Sequence, residues 1–104
     1  MSLTEQVIDY LARCDMARVK QYNLARDLGI NTNALERRLK AEGTRYSTLS
    51  DMERKRRLAN ADLPDGFKLK DIADVAGYSG HGPARLFLLR AYGMTIEQYR
   101  AQRA

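Results

Sequence analysis

The chain has 104 residues, which suits one compact unit or two very small lobes sharing a core. Its 44% apolar and 30% charged residues are an ordinary soluble balance, and no apolar run approaches the roughly 18 residues of a membrane span. Eighteen Lys plus Arg against 13 Asp plus Glu leave a net charge of +5, an excess that favours polyanions such as nucleic acid or an acidic membrane surface. Most of that excess lies late in the chain. Residues 1–52 hold 8 basic and 7 acidic residues, and residues 53–104 hold 10 and 6. The one cysteine, Cys14, excludes an internal disulfide and a cysteine-based zinc site.

Helical spacing of apolar residues dominates and strand alternation is absent. Residues 4–14 place Val7, Ile8, Tyr10, Leu11 and Cys14 on one face of a first helix. Cys14 reads there as a small core residue of a protein held in a reducing compartment. Met1-Ser2-Leu3 is either a vector remnant or, through Ser2-x-x-Glu5, the start of a capping box; no signal peptide is legible. A second helix is predicted over 19–28 and stops at Gly29. A third over 32–42 stops at Gly43, since glycine just past a helix accepts the left-handed conformation other residues resist. A long fourth runs over 47–63, anchored by Leu49, Met52, Ala59 and Leu63, and Pro64-Asp65-Gly66 breaks it. A fifth over 68–76 stops at Gly77. A sixth over 83–92 opens on Pro83, whose missing N–H costs nothing in a first turn, and stops at Gly93. A short seventh covers about 96–102.

Within this series the chain repeats itself. Leu24-Ala25-x-x-x-Gly29-Ile30 returns as Ile72-Ala73-x-x-x-Gly77-Tyr78, and Leu39 to Thr44 returns from Leu89 onward. The second copy is two residues longer between its glycines, and the extra length is expected in the turn at Ser79-Gly80-His81-Gly82. A small residue, a turn glycine, an apolar plug and a second helix are the parts of a helix-turn-helix. Ala25 and Ala73 sit where two helices cross closely, Gly29 and Gly77 make the turn, and Ile30 and Tyr78 plug the core beneath it. The second helix then offers one face sized for a major groove. One such spacing is a weak signal; two copies on a basic chain are a stronger one.

Residues 19 to 100 resemble the DNA-binding domain of the AraC/XylS transcription regulators. GINTNALERRLKAEGTRY (residues 29–46) resembles the family's first helix-turn-helix stretch, and IADVAGYSGHGPARLFLLRAYGMTIEQYR (residues 72–100) resembles its signature. Gly93, Thr95, Tyr99 and Arg100 match that signature, with Ile96 where proline is usual. The resemblance implies an all-α fold of about seven helices, with a helix-turn-helix subdomain over 1–46, a linker helix over 47–63 and a second helix-turn-helix subdomain over 64–104. It implies a bacterial regulator, most often an activator, that places two recognition helices in successive major grooves of double-stranded DNA, about 34 Å apart. RNA polymerase is a further partner the resemblance allows, as is a separate effector or dimerisation domain. The expected location is the cytoplasm, at the nucleoid, with no membrane partner.

On the third helix Leu35 and Leu39 face the core, and Asn33, Glu36 and Arg37 face away. The resemblance makes these three the base contacts. Arg37 suits the two-pronged hydrogen bond to guanine O6 and N7. Asn33 either pairs with adenine or caps the helix. Glu36 either accepts from cytosine N4 or pairs with Lys40 one turn on. Arg38, Lys40, Arg54, Arg57, His81, Arg85 and Arg90 are the expected contacts to the DNA backbone. The run Arg54-Lys55-Arg56-Arg57 is open to a plain solvated face, to phosphate contact or to a surface for RNA polymerase. Its register is also open, with Lys55 paired to Ala59 or Arg54 to Leu58.

The sixth helix departs from the family. Relatives tend to place an aromatic at 84, Arg at 86 and Phe at 88; this chain has Ala84, Leu86 and Leu88, with Phe87 added. Ala84 and Phe87 are expected to exchange volume within one core. Leu86 stands where relatives often place a base-contacting Arg. The glycines before it do not form a nucleotide loop, because no Gly-x-x-x-x-Gly-Lys and no strand accompany them. His81 is the single histidine, with no second His, no Cys pair and no nucleophile beside it. Neither a metal set nor a catalytic triad is legible, so no enzyme activity, metal or cofactor is expected. The alternative to DNA binding is a helix-turn-helix shell kept as a protein-interaction module, with Leu86 docking on a partner.

Overall fold

The structure is a computed structural model and describes residues 1–103. Among these are seven helices and no strand: α1 (Leu3–Arg13), α2 (Gln21–Asp27), α3 (Thr32–Ala41), α4 (Tyr46–Ala59), α5 (Leu69–Ala76), α6 (His81–Tyr92) and α7 (Ile96–Arg103). The all-α expectation holds. Two compact units divide the chain, one from Met1 to Glu53 and one from Arg54 onward, so α4 is shared between them.

In the first unit, Leu3, Val7 and Leu11 form an i, i+4 stripe on α1 and are buried with Leu24, Ala25, Leu35, Leu39 and Leu49. Ile8, expected on that face, lies off the stripe and is 43% exposed. Cys14 packs against this core half-buried, as the sequence suggested. The Ser2–Glu5 capping box is present. Glu42, just past α3, completes the cap of α1. Its carboxylate accepts from Leu3 N (3.3 Å), Thr4 N (2.9 Å) and Thr4 Oγ1 (2.5 Å). The opening N–H groups of α1 thereby all find partners, and the far end of α3 is tied to the start of α1.

In the second unit, Leu58, Phe67, Ile72, Ala73, Ala76, Ala84, Phe87, Leu88 and Tyr99 are buried together. Aromatic rings link the cluster, with Phe67 edge-on to Tyr99 and Phe87 edge-on to Tyr92. Burial, then the neighbouring Tyr99, push the Tyr92 phenol up to about 12, so it stays neutral in ordinary buffers. Ala84 and Phe87 are both fully buried in this one cluster, which fits the expected exchange of volume.

Helix α4 corrects the sequence expectation twice. It closes at Ala59 instead of residue 63, where Asn60 turns its side chain back to the Arg56 carbonyl. Arg103 serves the same end, donating to Leu58 O (2.9 Å) and Ala61 O (2.5 Å). The anchors are Leu49 and Leu58; Met52 is 53% exposed and Ala59 faces solvent. Of the two apolar partners left open, Leu58 is the buried one, while Arg54 and Lys55 are both engaged within the second unit.

The repeat is visible in the turns. Ile30 N donates to Ala25 O (3.0 Å) and Tyr78 N to Ala73 O (2.8 Å), the same six-residue closure 48 positions apart. Gly29 and Gly77 both have positive φ, 79° and 85°. At Gly29 an added Cβ would meet nothing within 4 Å, so conformation alone demands glycine there.

Candidate nucleic-acid interface

Each unit ends its helix-turn-helix with a helix whose outer face is open. Helix α3 begins after Asn31, whose side chain accepts from Ala34 N at 2.7 Å. Asn31 therefore does the capping, and Asn33 stands two residues further, in the first turn and exposed. Leu35 and Leu39 are fully buried, which turns Asn33, Glu36, Arg37 and Lys40 outward together. Glu36 accepts from Gln21 Nε2 at the start of α2 (3.2 Å) and makes no ion pair with Lys40. That bond holds the carboxylate toward α2 and leaves Arg37 and Lys40 as the outward charges.

Beside α3 run two open grooves. One of about 390 Å³ is lined by Gln21, Glu36, Lys40, Arg45, Tyr46 and Ser47. The other, about 290 Å³, is lined by Lys40, Gly43, Thr44, Arg45 and Thr48. Arg45 borders both and is exposed, yet it is absent from the residues singled out in the sequence. Its place immediately after the Gly43-Thr44 turn was the available signal.

Helix α6 matches α3 in frame and differs in chemistry. Both begin 49 positions apart, Thr32 and His81, after Asn31 and Gly80. The buried pairs Leu35 with Ala84 and Leu39 with Leu88 share that offset. This corrects the repeat as read from sequence, which matched Leu39 to Leu89 and put both extra residues in the turn. Leu89 is 47% exposed; Leu88 is the buried one. One extra residue enters the turn, and the other lengthens the end of α6, where Met94 N reaches back six residues to Leu88 O (3.3 Å). In this register Gly82 stands at the place of Asn33, Arg85 at that of Glu36, Leu86 at that of Arg37 and Leu89 at that of Lys40.

The expected backbone contacts separate into two groups. Arg38, Lys40, His81 and Arg85 are exposed on α3 and α6. Arg54 is engaged inside its own unit, donating to the Ala76 carbonyl at the end of α5 with its guanidinium 4.3 Å from the Tyr78 ring centre. Lys55 reaches Ala91 O and lies over Tyr92. Arg90 donates to the Tyr78 hydroxyl (3.3 Å). Arg100, matched to the family signature, donates twice to Phe67 O (2.9 and 2.6 Å). Cations at helix ends and loop carbonyls are structural here, a use the charge pattern alone does not reveal. Among the described residues no group of three His, Cys, Asp or Glu is placed to hold a metal ion, and no helix is long and apolar enough to cross a membrane.

No family model matches the chain. Over 78 residues, 75% of its length, it is 37% identical to the HTH-type transcriptional regulator VirS of Mycobacterium tuberculosis, in two strains. The chain is a relative of the helix-turn-helix transcriptional regulators. It spans about a quarter of VirS, 23% of that protein's length. Two solved structures share its fold over 98% of the chain. One is a DNA-binding transcriptional dual regulator from Escherichia coli (TM-score 0.78, 23% identity, 98% of that chain). The other is the C-terminal domain of AraT, a response regulator from Geobacillus stearothermophilus (TM-score 0.80, 20% identity, 86% of that chain). This helix-turn-helix fold and kinship agree with the AraC/XylS resemblance of residues 19–100.

Proposed function

We propose that the chain binds double-stranded DNA with sequence preference, as the DNA-binding part of an AraC/XylS-type transcription regulator, without catalysis. The observation that carries this is the outer face of α3: Asn33, Arg37 and Lys40 exposed together on the second helix of a helix-turn-helix. Its kinship with transcriptional regulators supports DNA over a protein-docking role. In this proposal Arg37 reads guanine and Asn33 reads adenine. Arg38, Lys40 and Arg45 hold phosphates around α3, and Arg85 and His81 hold them around α6. Glu36, bonded to Gln21, positions α3 and remains the acceptor for a cytosine amino group. Arg54 is dropped as a phosphate contact. The cationic run of α4 that includes Arg57 meets the DNA backbone or RNA polymerase in this reading, with activation the expected outcome.

The test is titration of labelled duplex at several salt concentrations. With about 4–7 phosphate contacts, log K falls against log salt with a slope of about −4 to −6. A flat response, or no binding at about 50 mM salt with micromolar protein, overturns the proposal.

A further inference from the structure

Of the four outward positions on α6, Arg85 alone carries a side chain able to make paired hydrogen bonds, and the places of Asn33 and Arg37 themselves hold none. Gly82 has no side chain to offer. At the place of Arg37 stands Leu86, 61% exposed, and at the place of Lys40 stands Leu89, 47% exposed. Neither is needed inside, because Ala84, Phe87 and Leu88 complete the buried side of this helix. Two large apolar side chains at i and i+3 thus form a ridge along the outer face. Around the ridge lie Arg85, Arg90 and His81, and α6 contains no acidic residue. A polyanion with apolar spots on its surface complements such a face. In the major groove of DNA the one apolar group is the C5-methyl of thymine.

We propose that α6 reads DNA by apolar contact, with Leu86, and Leu89 beside it, seated against thymine C5-methyl groups while Arg85 holds the adjoining phosphate. This rests on the DNA-binding function proposed above and names how its second helix discriminates. Hydrogen-bond readout then belongs to α3, and α6 adds a preference for thymine over cytosine at one or two positions.

The experiment uses the whole chain and a duplex selected from random DNA. Each thymine is replaced in turn by deoxyuridine, which keeps the base-pairing and loses only the methyl group. Removing a methyl group from an apolar contact weakens binding about fourfold, and this loss is expected at one or two thymines away from the bases that respond to Arg37→Ala. Leu86→Ala, an exposed substitution, is expected to weaken the all-thymine duplex by a similar factor and to become indifferent to deoxyuridine at those positions. Wild-type chain that binds every deoxyuridine duplex as tightly as the thymine duplex overturns the inference while leaving DNA binding intact. A full deoxyuridine loss retained by Leu86→Ala also overturns it. A chain that binds no duplex overturns the DNA function itself.

Discussion

Helices α3 and α6 have the same frame and opposite faces. Both follow a turn closed on a buried alanine, Ala25 or Ala73. Both start at equivalent positions and bury residues four apart. Outward, α3 presents Asn33, Glu36, Arg37 and Lys40, and α6 presents Gly82, Arg85, Leu86 and Leu89. The frame constrains only the turn glycine, the small crossing residue and the buried pair. Apart from Glu36, bonded to Gln21, the outer positions lie outside that frame, so two copies of one motif can differ in how they recognise a partner.

The largest expected effect tests the shared frame. Leu88→Ala should destabilise the chain by about 2–5 kcal/mol, and Leu89→Ala should stay within about 0.5 kcal/mol. Urea unfolding of the two variants checks this, and equal effects would break the register that equates Leu88 with Leu39. Next in size is the polar face. Arg37→Ala should cost about 1–3 kcal/mol on a selected duplex and relax preference at one base pair, whereas Arg85→Ala should weaken all sequences about equally. Competition binding against single-base variants separates the two, and an unchanged consensus for Arg37→Ala removes it as a base reader.

Glycine separates the helices more gently. Gly29→Ala should cost about 1 kcal/mol or more, because its φ of 79° lies in the left-handed region. Gly82 lies inside α6 with nothing within 4 Å of an added Cβ, so Gly82→Ala should stabilise by about 0.4–1 kcal/mol. Thermal melts of the two variants should therefore shift in opposite directions.

The smallest effect concerns Glu42, whose carboxyl the Thr4 hydroxyl and backbone N–H hold below the usual carboxylate range. A depressed folded pKa stabilises above the unfolded value, about 4.3, and that contribution is lost as pH falls through the folded pKa. Wild type should melt slightly above Glu42→Gln at neutral pH, and the gap should close in acid. A gap that persists at pH values below the carboxylate range would contradict this cap.

The helices and their glycine stops were legible because each stop is a single residue type with one conformational use. The repeat was legible for the same reason at Ala25, Gly29, Ala73 and Gly77. The register inside α6 was not. Leu86 to Leu89 are four apolar residues in a row, and no periodicity chooses which of them turns inward. The α4 anchors failed similarly, since Leu58 and Ala59 are adjacent and both apolar. On α3 the outward polar set was readable from the spacing of Leu35 and Leu39. The inward use of Arg54, Arg100 and Arg103 was not, because a cation that caps carbonyls has the same sequence appearance as one facing solvent. Asn33 posed the same problem, as cap or base reader, and the structure gives the cap to Asn31 instead.

The central claim is that the two recognition helices read DNA unequally. Selection of bound duplexes from random DNA by the whole chain tests it most directly. The account predicts one sharply specified half-site that responds to substitutions at Asn33 and Arg37. Beside it there should be a weakly specified half-site with little beyond a preference for A·T pairs, sharpened or bound more tightly by Leu86→Arg. Two equally informative half-sites would contradict it and would turn attention to His81 and Arg85 as base readers on α6.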